Sequence, residues 1–136
     1  MKEQDPVSHV MTTNLKTVQL GQKLSDVRRM LTEHQIHHVP VMDGHKLVGL
    51  ISAIDMLRLN IAAANCSFDD MFDQHFTIGQ VVQKKLVTIG IHETVRKAAQ
   101  LLSDGMFHSL PVVDKDNNLV GIITSTDLIR YLANLC

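Results

Sequence analysis

Two heptapeptides hold the residues of this chain best placed to do chemistry. They are Gly49-Leu50-Ile51-Ser52-Ala53-Ile54-Asp55 and Gly121-Ile122-Ile123-Thr124-Ser125-Thr126-Asp127. Each reads as a buried strand ending in a hydroxyl residue that starts a helix, with a carboxylate in the first helical turn. Two kinds of chemistry suit that arrangement. Free backbone N–H groups and the positive end of the helix dipole favour an anion or a polar ligand, and a carboxylate there can accept two hydrogen bonds from a vicinal diol, as acidic residues do for ribose in dinucleotide folds. Alternatively, Ser or Thr at the cap and Asp three residues later satisfy the helix's own orphan N–H groups, with no ligand involved. Spacing alone leaves both readings open.

Other chemistries find less support. Of the eight His residues, His37 and His38 are neighbours that a strand would point to opposite faces. His34 and His38 lie four apart, but the helix before them should end near Gln35, which removes the helical spacing. There is no HExxH and no Cys/His cluster, so no metal site is expected. Ser109 beside His108 is the nearest approach to a nucleophile and its base, and strand neighbours again diverge. With no GxSxG elbow and no P-loop lysine, catalysis is not expected.

The elements that position the heptapeptides come as a duplication. Val39-Pro40-Val41 aligns with Leu110-Pro111-Val112 at an offset of 71, which also superposes Thr17 on Thr88, Leu24 on Val95 and His37 on His108. From Gly49 and Gly121 onward the offset is 72, so one residue has been inserted in the turn between two strands. In the first copy Leu15 to Val18 is a short extended run. Leu24, Val27, Met30 and Leu31 recur at helical spacing, with Arg28, Arg29 and Glu33 on the other face. His38 to Met42 and Lys46 to Ile51 are apolar runs joined by Asp43-Gly44, where both turn positions are expected at positive φ. Ser52 then precedes a second helix marked by Ile54, Met56, Leu57 and Ile61.

The second copy repeats this order. Val95, Ala98, Ala99 and Leu102 mark its first helix, Ser109 to Val113 and Leu119 to Ile123 its hairpin strands, and Leu128 to Leu135 its last helix. Its hairpin turn, Asp114 to Asn118, is longer and more polar. A short helical turn introduces each copy: Asp5 caps one with Pro6 at its first position, and Thr77 opens the other. Between the copies, Phe68, Met71, Phe72 and Phe76 form an apolar helical stripe over Ala62 to Phe76, suited either to packing on its own module or to a dimer contact.

Composition sets outer bounds. A half of roughly 60–70 residues could bury only about 60% of its unfolded surface, so each gains from the other. Aromatics are 4% with no Trp, which predicts an aliphatic, Met-rich core. The net charge of −1 gives no general attraction to nucleic acid or anionic membrane, and no apolar run is long enough to span a bilayer. Cys66 and Cys136 lack CxxC spacing and read as free thiols in a reducing compartment. With no signal-peptide pattern, a cytoplasmic location is expected.

With its repeated short strand bearing Thr, amphipathic helix, hydrophobic-Pro-Val and Gly-x-x-Ser/Thr-x-x-Asp, the chain resembles a tandem pair of CBS domains, a Bateman module. The copies would be residues 7–61 and 77–135, with a helical connector at 62–76. The resemblance implies an α/β (α+β) fold of two β-α-β-β-α repeats related by a pseudo-two-fold axis, leaving two clefts. It implies an adenine nucleotide as ligand (AMP, ADP or ATP, with S-adenosylmethionine ranked below), no required cofactor, a homodimer and a separate regulated protein. Residue by residue, Asp55 and Asp127 match the ribose-binding carboxylates, and Ser52 and Thr124 the strand-end hydroxyls. Thr17 and Val18, with Thr88 and Ile89, match the edge flanking the base. His38 and Val39, with Ser109 and Leu110, match backbone lining the clefts. His37 and His108 fall where relatives place phosphate-reaching bases, and Arg58 and Arg130 lie one turn beyond the carboxylates. As a ligand-free alternative, the chain would be a dimerisation or interaction module.

Overall fold

The structure, a computed structural model, describes residues 4–34, 36–62, 73–74 and 76–135, the side chains of 60–62 excepted. The apolar stripe expected at Phe68, Met71 and Phe72, and both cysteines, lie outside these residues.

The described chain forms two compact units, one of residues 16–85 and one of residues 1–15 with 86–136. In the first, β1 (Val18–Gln19) leads into α1 (Leu24–Glu33), followed by β2 (His38–Asp43), β3 (Lys46–Ser52) and α2 (Ala53–Ala62). β1 pairs parallel with β2 and β2 antiparallel with β3, in the order β1-β2-β3. A parallel pair needs a crossover, which α1 provides. The other unit repeats the plan with β4 (Ile89–Gly90), α4 (Val95–Leu102), β5 (Ser109–Val113), β6 (Leu119–Thr124) and α5 (Ser125–Ala133), the sheet order being β4-β5-β6. A one-residue bulge recurs at the same place in both hairpins, beyond the Val41–Gly49 and Val112–Gly121 pairs.

The compact units and the sequence repeats are cut differently. The turn that introduces each copy packs on the other copy's sheet. α3 (Ile78–Val81) is capped by Thr77, whose Oγ1 accepts from Gln80 N at 3.3 Å, while Gln80 Oε1 accepts from Thr77 N at 2.9 Å. Ile78 and Val82 then join the core of the unit of residues 16–85, with Val18, Leu24, Val27, Val39, Val41, Ile51 and Met56. In the other unit Val7, in a short 3-10 helix at Val7–His9, is fully buried among Ile89, Ala98, Leu102, Leu110, Val112 and Ile123. Each exchange is fixed by a backbone bridge, Leu50 to Gln83 and Thr12 to Ile122.

Local chemistry departs from expectation at several points. Asp5 does not cap the first turn, where Pro6 sits at the cap instead. Its carboxylate is taken by the Tyr131 hydroxyl, which donates at 2.8 Å, and its carbonyl accepts from Val95 N. In the first hairpin Asp43 pairs with Lys46 as strand, leaving Gly44 and His45 as the loop, and only Gly44 has positive φ. Gln19 steadies that loop, its side chain bonding both the N–H and the C=O of Gly44. The first strand is confined to Val18–Gln19, because only these residues meet Val41 and Met42 in register. The last helix begins earlier than Leu128, at Ser125, and ends at Ala133. Ala99 is exposed rather than core. The core is aliphatic but not Met-rich: among the described residues Met56 is the one buried methionine, and Met106 is 75% exposed.

Candidate functional site

Each antiparallel hairpin delivers its second strand directly into a helix. In the first unit Ser52 ends β3 as α2 begins. Ser52 N donates to Asp55 Oδ2 at 2.9 Å, and Asp55 N donates to Ser52 Oγ at 3.1 Å. This reciprocal pair is a capping box, with Asp in place of Glu. Ala53 N donates to the carbonyl of His37 at 2.9 Å, and His38 stands opposite Ser52 in the sheet. His37, His38, Ser52 and Asp55 therefore gather at one junction. Asp55 is half-buried, and its second carboxylate oxygen accepts no hydrogen bond among the described residues. Arg58 is exposed and does not pair with it.

The second junction has the same plan with more contacts to its carboxylate. Thr124 N and Oγ1 both donate to Asp127 Oδ2, at 2.9 and 3.1 Å, and Asp127 N donates to Thr124 Oγ1 at 3.1 Å. Ser125 N donates to the His108 carbonyl at 3.2 Å, and Ser109 pairs with Thr124. The other oxygen, Asp127 Oδ1, accepts from Thr12 Oγ1 at 3.3 Å and lies 3.7 Å from Arg130 Nη1. The Asp127 side chain is only 7% exposed, whereas that of Arg130 is 67% exposed.

The remaining expected residues divide by burial. Val18, Val39, Ile89 and Leu110 are core residues, so only their backbone could meet a ligand. Ser109 is buried as well, while His37 and His108 are exposed. Thr17 and Thr88 are exposed and sit one residue before β1 and β4; among the described residues no hydrogen bond ties either to its carboxylate. Thr12 had no signal in the sequence, because its contact with Asp127 spans 115 positions.

A groove of about 600 Å³ opens between α1 and α2, lined by Arg28, Leu31, Thr32, Ile36, His37, Ala53, Met56 and Leu57. Arg28, expected on the solvent face of α1, is half-buried here. The groove takes in His37 but neither Ser52 nor Asp55.

Chemically, the junctions offer hydrogen-bond acceptors and donors. Among the described residues no cluster of three or more His, Cys, Asp or Glu could hold a metal ion, and no helix is long and apolar enough to cross a membrane.

Two βαββα units, each with a capping box at its strand-to-helix junction, define a tandem-repeat α/β module. The chain belongs to the CBS domain family, whose model matches residues 7–61 and 78–134, one match in each copy. CBSX2, a CBS-pair protein from Arabidopsis thaliana, has been solved in complex with AMP; it matches with a TM-score of 0.81 and 26% identity, covering 96% of this chain and 98% of that one. The CBS domain pair of protein MJ0100, in complex with 5′-methylthioadenosine and S-adenosyl-L-methionine, matches with a TM-score of 0.80 and 25% identity over 96% and 98% of the two chains. In sequence, the chain is 28% identical over 93% of its length to a homoserine O-acetyltransferase from Methanohalobium evestigatum, of which it spans 24%. The first curated relatives are longer throughout, the chain spanning between about a quarter and about half of each.

Proposed function

We propose that the chain is a regulatory module that binds an adenosine-containing ligand at its strand-to-helix junctions and passes that state to a partner protein or to a second copy of itself. One observation carries this reading. The Ser52–Asp55 and Thr124–Asp127 junctions occur in a fold whose solved relatives are complexed with AMP in one case and with 5′-methylthioadenosine and S-adenosyl-L-methionine in another. Capping engages one carboxylate oxygen of Asp55 and leaves the other for a ribose hydroxyl, so capping and ligand binding are compatible there. His37, exposed beside the same junction, is placed to meet a phosphate. The ligand acts by population shift, favouring the arrangement for which it has the higher affinity. No catalysis and no resident cofactor form part of the reading, and it places the protein in the cytoplasm.

Thermal unfolding with AMP, ADP, ATP, S-adenosylmethionine and GTP tests it. A ligand specific to the folded state adds about 2.7 kcal/mol at a hundredfold excess over Kd, a rise of several degrees for a chain of this size. A rise with adenine but not guanine ligands supports the reading, and a flat response to the whole panel rejects it.

A second reading, a ligand-free interaction module, is favoured by the apolar residues exposed on the same helices. Leu57 on α2 and Ile129 on α5 occupy equivalent positions and are 58% and 66% exposed, with Ile54 and Leu132 nearby in sequence. These side chains suit a homodimer contact. Light scattering on Leu57→Glu and Ile129→Glu distinguishes a self-associating chain, which becomes monomeric, from one whose mass is unchanged.

A further inference from the structure

We infer that the two junction carboxylates are unequal, Asp55 being open to ligand hydroxyls and Asp127 being held by Thr12, so that the module has one strong ligand site and one that Thr12 restricts. This rests on the ligand reading above and adds which junction is filled and what closes the other.

The duplication sets up the comparison. Thr12 and Gln83 are equivalent at the offset of 71, and each lies in the segment that crosses the other copy's strand. Thr12 N and O bond Ile122 O and N at 2.8 and 3.0 Å, and Gln83 N and O bond Leu50 O and N at 2.9 and 3.1 Å. With the backbones held alike, the side chains decide the difference. The short Thr12 hydroxyl reaches Asp127 Oδ1, while among the described residues the Gln83 side chain makes no bond to Asp55. Arg130 adds its charge to the same Asp127 oxygen, whereas its counterpart Arg58 makes no ion pair with Asp55 among the described residues.

Both oxygens of Asp127 are thus engaged within the protein, in a side chain more than nine-tenths buried. A diol that reaches Asp127 Oδ1 competes with the Thr12 hydroxyl already there; Thr12 is exposed and can turn to water, but the carboxylate is buried and must keep a donor throughout the exchange. Asp55 needs no such exchange. The residue is half-buried, its second oxygen accepts no hydrogen bond among the described residues, and its cap can stay intact while a hydroxyl binds.

Calorimetry with AMP as the probe, on the full chain, separates the possibilities. Wild type is expected to show one strong site, with the second at least about tenfold weaker, the ratio that about 1.4 kcal/mol produces. Asp55→Asn, which keeps a capping oxygen, should weaken the strong site about tenfold or more. Thr12→Val should strengthen the weak site about tenfold and leave the strong one in place. Two equal sites in wild type, loss of the strong site in Asp127→Asn rather than Asp55→Asn, or a weak site indifferent to Thr12→Val would each overturn the inference while leaving ligand binding intact. Absence of any binding by AMP, ADP, ATP and S-adenosylmethionine would instead reject the ligand reading, and this inference with it.

Discussion

Leu50 and Gln83 exchange both backbone hydrogen bonds, Gln83 N to Leu50 O at 2.9 Å and Leu50 N to Gln83 O at 3.1 Å, across the residue beside Gly49. A Cβ on Gly49 would overlap the Gln83 carbonyl oxygen and sit 2.7 Å from Val82 Cγ2. The glycine of the Gly-x-x-Ser-x-x-Asp motif is therefore required by the crossing segment.

The two motif glycines are expected to differ in tolerance. Gly49→Ala forces backbone against backbone and should destabilise by about 3 kcal/mol, at the upper end of overpacking costs. A Cβ on Gly121 meets first the Met11 sulfur at 2.6 Å, the end of a flexible side chain, and then Thr12 O at 3.0 Å. Gly121→Ala should cost about 1–2 kcal/mol. Urea midpoints at constant m-value test the order; equal losses would show that the Gln83 crossing yields as easily as Met11.

Helix α1 borrows its cap. Lys23 at its N-cap has no side-chain acceptor, and Asp73 fills the role from 48 residues away, accepting from Ser25 N at 2.9 Å and from Ser25 Oγ at 2.6 Å. Ser25 is 3% exposed, so removing the carboxylate strands a buried donor. Asp73→Ala should cost about 1.5–3 kcal/mol, read by chemical denaturation. Ser52→Ala, which removes a nearer cap, should cost about 1 kcal/mol.

Tyr131 is the one tyrosine in a chain without tryptophan, so its ionisation can be followed directly by absorbance near 295 nm. Its hydroxyl donates to Asp5, which raises its pKa above the ordinary tyrosine value; burial and the Asp5 charge add to the rise. A raised folded-state pKa contributes stability that is complete below the unfolded pKa of about 10 and is lost as pH climbs through the folded value. Asp5→Ala should bring the titration midpoint down. A midpoint unmoved by that change would break the assignment.

Asp114 behaves oppositely in the second hairpin. Its carboxylate accepts from the backbone of Asn118 and Asp116 and from the Asn118 side chain. The Asn118 backbone bond is the leading cause of a lowered pKa, with Lys115 helping. Its contribution to stability is present above the unfolded value of about 3.9 and is lost as pH falls through the lower folded value. Carboxyl carbon shifts followed by NMR through that acid range should place the Asp114 midpoint below the ordinary aspartate value, and Asn118→Ala, which removes the side-chain donor, should bring it back up.

Much of the architecture was legible because it rests on local or repeated pattern. The period of Leu24, Val27, Met30 and Leu31, the polar turn at Asp114 to Asn118 and the Thr77 cap all depend on neighbours in sequence. So do the heptapeptides, whose Ser52–Asp55 and Thr124–Asp127 spacing is that of a capping box. The duplication fixed the equivalence of the two copies to the residue. What it could not show was which unit each introductory turn joins, since Val7, Ile78 and Val82 are apolar wherever they pack and only the closed core selects their neighbours. Asp5 and Arg28 went astray for a related reason: a distant Tyr131 captured the one, and a groove between two helices drew in the other. The difference between Asp55 and Asp127 was equally hidden. The motif makes them identical, and only tertiary structure brings the Thr12 hydroxyl, 115 residues away in the chain, to one carboxylate and not to the other.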